Sequence, residues 1–149
     1  MKLAVCYHSH HHGNTRKVLD AMALECDLEL LDVAACQSAQ LKDYDCIGFA
    51  SGIYAFEIHK SVVDFAREFL PARKPVFFVC TYGLARGTGF KALTDLAKLR
   101  HCPILGEFGC KGYDTFGPFK LMGGLAKGHP DEQDFQQARK FLRNILNQL

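Results

Sequence analysis

Short apolar runs alternate with amphipathic stretches along almost the whole chain. Five of these runs are typical of β-strands, and the third and fourth are nearly all apolar, as in strands buried on both faces of a sheet. The second is interrupted by Glu29 and Asp32, which an edge strand tolerates. The pattern therefore predicts five strands, at residues 2–7, 28–33, 46–50, 76–80 and 104–110.

Between these runs, apolar residues recur at helical spacing. One stripe covers residues 58–69, and Pro71 ends that helix just before the fourth strand. The other predicted helices start at Arg16, lie around residues 90–96, and cover residues 135–149 with a continuous apolar face. Strands and helices that alternate with short connections predict a doubly wound α/β sandwich of three layers, with its ligand beyond the carboxyl ends of the strands.

The first strand leads into the most informative loop, Ser9-His10-His11-His12-Gly13-Asn14-Thr15, and then into a helix. A helix start supplies unpaired backbone N–H groups and the positive end of the helix dipole. Gly13 permits a tight turn, while hydroxyl and amide side chains add further donors. This arrangement predicts a seat for a phosphate monoester.

Two further strand ends carry loops that combine a glycine, a hydroxyl and an aromatic residue. They read Ser51-Gly52-Ile53-Tyr54-Ala55-Phe56 and Thr81-Tyr82-Gly83. Such loops offer a flat apolar wall and close approach of the backbone, which suits a planar ring. A phosphate at one loop and a ring between two others indicates FMN. The predicted cofactor-binding residues are Ser9, His11, His12, Gly13, Asn14, Thr15, Ser51, Gly52, Ile53, Tyr54, Ala55, Thr81, Tyr82 and Gly83.

Each of these assignments has a simpler alternative. Asn14 and Thr15 are also favoured in a plain helix cap. The histidines at 10–12 are also compatible with a metal site or a solvated loop, but consecutive side chains point in different directions, so we predict no metal. The sequence leaves open which of the three faces the phosphate. The aromatic residues Tyr54, Phe56 and Tyr82 suit ring contact and packing on the sheet alike.

The segment from Ser9 to Thr15 resembles the phosphate loop of flavodoxins, commonly Ser/Thr-x-Thr-Gly-x-Thr, and ends in Gly-Asn-Thr. The stretch 51–54 and the tail 114–118 leading to 128–130 are similar to the wider flavodoxin-like family. The resemblance spans the chain and implies a five-stranded sheet in the order 2-1-3-4-5, non-covalent FMN and electron transfer. Three histidines stand where small residues or threonine are usual. The family further implies that backbone around Gly52 meets the ring and reorients with its protonation.

Composition narrows the partners and the location. With 149 residues, of which 48% are hydrophobic, we expect one domain over residues 1–149. A net charge of +2 without a basic run predicts no nucleic-acid partner. The seven cysteines form no C-x-x-C pair, which favours a reducing cytoplasm over a disulfide framework. No apolar run is long enough for a membrane span, so we expect neither secretion nor a membrane partner.

Three functions are compatible with these residues. The first is an FMN-binding electron-transfer protein that exchanges electrons with partner proteins. The second is a small FMN-dependent oxidoreductase that takes hydride from NAD(P)H and reduces a quinone-type acceptor, for which Arg86-Gly87-Thr88-Gly89 offers a weak second phosphate loop. The third is a flavodoxin-like module without FMN that serves in binding or regulation.

Overall fold

The computed structural model describes residues 1–10, 13–36, 40–113 and 127–149. His11, His12 and the tail at 114–118 lie outside the described residues. The strands are β1 (Leu3–His8), β2 (Leu28–Asp32), β3 (Cys46–Tyr54), β4 (Glu57–Ile58), β5 (Val76–Tyr82) and β6 (Ile104–Lys111). The helices are α1 (Asn14–Met22), α2 (Lys60–Phe69), α3 (Lys91–Leu99) and α4 (Glu132–Asn147), with a 3-10 turn at Leu41–Asp43.

Five parallel strands form the sheet in the order β2-β1-β3-β5-β6, and the short β4 pairs only with β3. Counting the parallel strands alone, this is the order 2-1-3-4-5, so the predicted fold is confirmed. The central strands β3 and β5 are in register from Ile47 opposite Val76 to Gly52 opposite Thr81. The nearly continuous apolar sequences of these two strands reflect their burial on both faces.

Helices cover both faces of the sheet. Alternate residues of β1 divide between two cores: Leu3, Val5 and Tyr7 pack with α1 and α4, whereas Ala4 and Cys6 pack with α2 and α3. The alternation of strand side chains thus explains why β1 has to be apolar throughout. This three-layer arrangement leaves the loops after β1, β3 and β5 together at one edge, where the site residues were predicted.

The third strand is longer than predicted and folds back on itself. It runs to Tyr54, turns through Ala55 and Phe56, whose φ angles are 49° and 67°, and returns as β4. Ile53 pairs with Ile58 in this hairpin, so Ile58 belongs to β4 and not to the predicted helix. A two-residue hairpin with two positive φ angles normally carries Asn or Gly, and the absence of that signal hid it from the sequence.

The strand cysteines are core residues, as their position in apolar runs predicts. Cys6, Cys46 and Cys80 are fully buried. Burial raises the pKa of the Cys46 and Cys80 thiols to about 12, and that of the Cys110 thiol to about 12 as well. These groups are therefore neutral thiols at physiological pH, and their buried position suits packing better than redox chemistry.

In the part of the chain that the structure describes, no helix combines the length and the apolar character that crossing a membrane needs.

Candidate functional site

The sheet brings the ends of three strands to one edge. β1 lies beside β3, with His8 opposite Ser51, and β3 lies beside β5, with Gly52 opposite Thr81. The loops that follow β1, β3 and β5 are therefore neighbours although they are some 40 and 30 residues apart in sequence. In a doubly wound sheet this edge, at the point where the strand order reverses, is the usual ligand site.

The start of α1 has the backbone of an anion seat. Gly13 precedes the helix with a φ of 65°, a left-handed conformation that a glycine adopts without strain. The Ser9 hydroxyl oxygen accepts a hydrogen bond from the Arg16 N–H in the first helical turn, at 3.1 Å. Gly13 is the N-cap residue and has no side chain that could bond to the helix. The first-turn N–H groups and Ser9 thus lie together at the end of β1.

Asn14 is the strongest indication of a ligand at this edge. Its side chain is buried, and its Nδ2 donates to the carbonyl oxygen of Tyr113 at 2.8 Å. That bond fixes the orientation of the amide, because the opposite orientation would set two oxygens against each other. Its Oδ1 is then the buried side-chain polar atom that finds no hydrogen-bond partner among the described residues. Buried acceptors are normally paired, so the donor to this atom lies outside the described residues.

Thr15 lies beside Asn14 and joins the first loop to the third. Its hydroxyl lies 2.9 Å from that of Thr81, and both side chains are buried. Two hydroxyls hold two protons, and the bond between them uses only one. If Thr81 donates to Thr15, the proton of Thr15 is left to point toward the helix start. Thr15 and Thr81 were both predicted as site residues, and the structure brings them into contact.

The second predicted loop is arranged differently from its prediction. Gly52 lies inside the extended β3 and is paired with Thr81, so its peptide is held by the sheet and is not a free loop peptide. Ser51 is fully buried, where its hydroxyl accepts from the His59 N–H at 2.9 Å and donates to the Gly52 carbonyl at 2.6 Å. Strand pairing of Gly52 and the hydrogen bonds of Ser51 hold this segment in place. The exposed part of the segment is the hairpin turn at Ala55 and Phe56.

The three candidate aromatic residues occupy different positions around this edge. The Tyr54 ring meets the imidazole of His59 edge-on, with the centroids 5.1 Å apart. Phe56 is 62% exposed and lies over Gly87, next to the turn of residues 86–89. Tyr82 is half-buried, and its carbonyl oxygen accepts from the Gly112 N–H at 2.9 Å. Phe56 is therefore the large apolar side chain of the three that presents most of its surface to solvent.

The remaining predicted residues lie near the same hairpin. Ile53 is partly buried, and it packs against Gly89, where an added Cβ would come within 2.4 Å of the Ile53 Cδ1. Gly83 follows β5 directly and is partly exposed. The turn at residues 86–89 is closed by a bond from the Gly89 N–H to the Arg86 carbonyl at 3.1 Å. The Gly89 carbonyl accepts from the Ile58 N–H, which ties this turn to β4.

The segment after β6 connects α1 to the start of α4. The Tyr113 carbonyl accepts from Asn14, and the Tyr113 N–H donates to the His129 carbonyl at 2.8 Å. The His129 Nδ1 lies 2.7 Å from a carboxylate oxygen of Asp134, which forms a reciprocal capping box with Asp131. This cluster of a histidine and two carboxylates is accounted for by the capping of α4.

Sequence reasoning missed a stacked pair of histidines. The imidazoles of His8 and His59 lie parallel within 14°, with their centroids 3.8 Å apart. His59 caps α2, and its Nδ1 accepts from the Ser61 N–H at 3.2 Å. The signal was present in β1: every second residue faces α2, and after Ala4 and Cys6 the next in that series is His8.

Burial lowers the pKa of both imidazoles. For His8, the neighbouring His59 lowers it further, while Asp32 acts in the opposite direction and His10 adds a smaller lowering. For His59, the nearby His10 adds to the effect of burial. Both rings therefore hold a proton less readily in the folded chain than in the unfolded one.

This difference predicts a pH dependence of stability. The unfolded chain takes up protons on these histidines below about pH 6.5, where the folded chain does not. The free energy of unfolding should fall as pH is lowered from 7 to 5, and the fall should be smaller in His8→Asn. Urea unfolding at several pH values measures this, with His101→Asn as the control because His101 is exposed and lies in a left-handed conformation that asparagine tolerates. Equal slopes for all three proteins would contradict it.

The fold and the site geometry together define a class: a doubly wound sheet with an anion seat after its first strand. Comparison with known proteins gives the family. A family model described as a flavodoxin domain matches residues 4–99. An uncharacterised protein of Methanocaldococcus jannaschii is 39% identical over 148 residues, which cover 98% of this chain and 99% of that one. The chain belongs to the flavodoxin family.

Two solved structures show the same fold at low sequence identity. The rubredoxin oxygen:oxidoreductase of Desulfovibrio gigas has a TM-score of 0.75 and 17% identity. The similarity covers 98% of this chain but only 35% of that longer one. A flavodoxin of Fusobacterium nucleatum, bound to flavin mononucleotide, has a TM-score of 0.70 and 11% identity, and the similarity covers 100% of this chain and 99% of that one.

Proposed function

We propose that this protein binds FMN non-covalently and carries electrons between partner proteins. The observation that carries the proposal is the buried Oδ1 of Asn14 beside the start of α1, which accepts no hydrogen bond from the described residues. A phosphate ion would satisfy the N–H groups of the helix, but as a dianion it offers no proton to an acceptor. A ligand that fits both groups bears a phosphate and, close to it, a hydroxyl, as the ribityl phosphate of FMN does.

Each of the three loops would bind a different part of the cofactor. Ser9, Gly13 and Thr15 would hold the phosphate with the first-turn N–H groups of α1. Asn14 would accept from a ribityl hydroxyl, and the loops after β3 and β5 would hold the ring. Bound FMN supplies the electron-transfer chemistry, while the protein supplies binding and electrostatics. The presence of FMN in the Fusobacterium nucleatum protein supports this proposal.

The hairpin turn takes the place that the sequence assigned to Gly52. Ala55 and Phe56 both hold positive φ angles, which cost non-glycine residues of order 1–3 kcal/mol each. The peptide between them is exposed and outside the paired sheet, whereas Gly52 is held against Thr81. We therefore assign to the Ala55–Phe56 peptide, and not to Gly52, the reorientation that accompanies a change in protonation at the ring.

Replacing Asn14 tests whether the site recognises the ribityl chain of the ligand. Asn14→Ala should weaken FMN binding by about threefold to tenfold, the range for a neutral hydrogen bond. It should weaken riboflavin binding by the same factor, because both ligands carry the ribityl hydroxyls. Isothermal titration of the apoprotein measures both, with Asn144→Ala as control because Asn144 is exposed on α4. Unchanged affinity in Asn14→Ala would remove Asn14 from the site.

The absorption spectrum of the purified protein, followed by anaerobic reduction, tests the function itself. We expect flavin bands, slow or no bleaching with NADPH alone, and rapid bleaching when a flavodoxin reductase is added. Rapid bleaching by NADPH alone would favour the oxidoreductase that transfers hydride to a quinone-type acceptor. A protein that neither contains nor takes up flavin would favour a binding or regulatory module. We place the protein in the cytoplasm, where its buried thiols stay reduced.

A further inference from the structure

The stacked histidines lie next to the proposed phosphate seat. His8 is the last residue of β1 and directly precedes Ser9, whose hydroxyl bonds to the first turn of α1. The two Cα atoms are therefore about 3.8 Å apart. His8 therefore lies at the same edge of the sheet as an anion bound at the helix start, and a charge on His8 would attract that anion by a Coulomb interaction that ordinary buffer screens over about 10 Å. The inference below rests on the proposed function.

The two rings cannot both carry a proton at little cost. Their centroids are 3.8 Å apart in a half-buried setting, so two positive charges would repel each other strongly. The groups that face the pair come from four elements: Asp32 at the end of β2, Tyr54 in β3, His10 in the first loop and Ser61 in α2. Asp32 is the negatively charged member of this set, and its interaction is with His8.

The cap on α2 decides which ring takes a single proton. The Ser61 N–H can only donate, so the His59 Nδ1 that accepts it has to be unprotonated. A proton at that atom would break the bond from the Ser61 N–H, would leave the Ser61 hydroxyl as its acceptor at 2.7 Å, and would place a positive charge at the positive end of a helix dipole. No hydrogen bond among the described residues requires an unprotonated nitrogen on His8, and Asp32 favours the charged form of His8. The single proton therefore belongs on His8.

We infer that the pair of His8 and His59 binds at most one proton and that this proton binds to His8. His8 takes it up when a phosphate group occupies the adjoining loop. His59 acts as the neutral positioning residue that holds the His8 ring by stacking. The protein would thus select a phosphorylated flavin over riboflavin more strongly at pH 6 than at pH 8. His8 becomes a specificity-determining residue of the site.

Histidine ring resonances in NMR test the order of protonation in the apoprotein, before any flavin is added. His8 should titrate at a higher pH than His59, and saturating FMN should raise the pKa of His8. His59→Asn keeps a good helix cap and assigns the second ring. Titration of His59 before His8, or a His8 pKa that FMN leaves unchanged, would overturn the inference.

Ligand affinities test the consequence. Between pH 8 and pH 6, the affinity for FMN relative to riboflavin should rise about fivefold more in the wild type than in His8→Asn, the order expected for one charge pair in a half-solvated site. The ionisation of the FMN phosphate is common to both proteins and cancels in this comparison. His101→Asn should behave as the wild type. Equal changes in wild type and His8→Asn would contradict the role of His8.

A third arm separates this inference from the proposed function. If the apoprotein binds no flavin, the proposed function fails, and the linkage is then measured with sulfate, whose charge is constant over this pH range. A His8 pKa that rises with sulfate, compared with chloride at equal ionic strength, would support the proton-linked anion seat. A His8 pKa that sulfate does not move would overturn it.

Discussion

Replacing Phe77 by alanine is expected to lower the free energy of unfolding by about 3–5 kcal/mol, the usual cost of removing a large buried aromatic side chain. Phe77 is fully buried in β5, and its ring packs edge-on against Phe141 of α4, with the centroids 6.0 Å apart. The ring also fills the space above Gly48 in β3, where an added Cβ would come within 2.6 Å of it. Chemical denaturation of the apoprotein measures the loss.

The cost arises because the cavity cannot close. Gly48 has no side chain to move into the space, and the paired backbones of β3 and β5 hold the sheet in place. Phe56→Ala is the matched control, since it removes the same atoms from a side chain that is 62% exposed, and it should change stability by less than about 1 kcal/mol. Similar losses of unfolding free energy in both variants would contradict the assignment of Phe77 to the hydrophobic core.

Replacing Thr15 by valine is expected to weaken FMN binding by about 1.5–3 kcal/mol, the range for a hydrogen bond to a charged group. Valine keeps the shape of the side chain and removes only the hydroxyl. Riboflavin, which lacks the phosphate, should bind Thr15→Val as it binds the wild type. Isothermal titration of both ligands into the apoprotein measures this difference.

Thr81→Val is the control that the structure provides. It removes the same buried hydrogen bond as Thr15→Val, because the hydroxyls of Thr15 and Thr81 bond to each other at 2.9 Å. The two variants should therefore lose similar stability. The proton of Thr15 stays available to the phosphate, so FMN affinity should change little. A larger loss of FMN affinity in Thr81→Val than in Thr15→Val would show that the phosphate donor is Thr81 and that our assignment is wrong.

The positions of the strands could be predicted because they follow from periodicity and from local signals, whereas their order in the sheet was implied by the resemblance to flavodoxins. The apolar runs of β3 and β5 and the helical stripe that Pro71 ends are all features of short segments. The hairpin at Ala55 and Phe56 could not be predicted, because neither residue favours a positive φ. Tertiary packing against Gly89 and the pairing of Ile53 with Ile58 hold that turn, and such contacts are invisible in a local pattern.

The structure brings several of the predicted site residues together through long-range contacts. The contact of Thr15 with Thr81 joins residues 66 positions apart, and that of Asn14 with Tyr113 joins residues 99 apart. Ser51 and Gly52 lie near this edge of the sheet, where the Ser51 hydroxyl bonds to the His59 N–H and Gly52 is paired with Thr81 inside the sheet. The stacking of His8 on His59 likewise needs β1 and α2 to meet: the alternation in β1 places His8 on the α2 side, but no local pattern shows which residue it contacts there.

In the proposed site, the loop after β1 recognises a phosphate, and the buried Asn14 recognises a hydroxyl beside it. Calorimetric titration of FMN and of riboflavin into the same apoprotein at pH 7 tests this recognition most directly. We expect one FMN per chain, bound at least tenfold more tightly than riboflavin, since the phosphate gains charged hydrogen bonds at the helix start. Equal affinity for the two flavins, or no binding of either, would contradict the account.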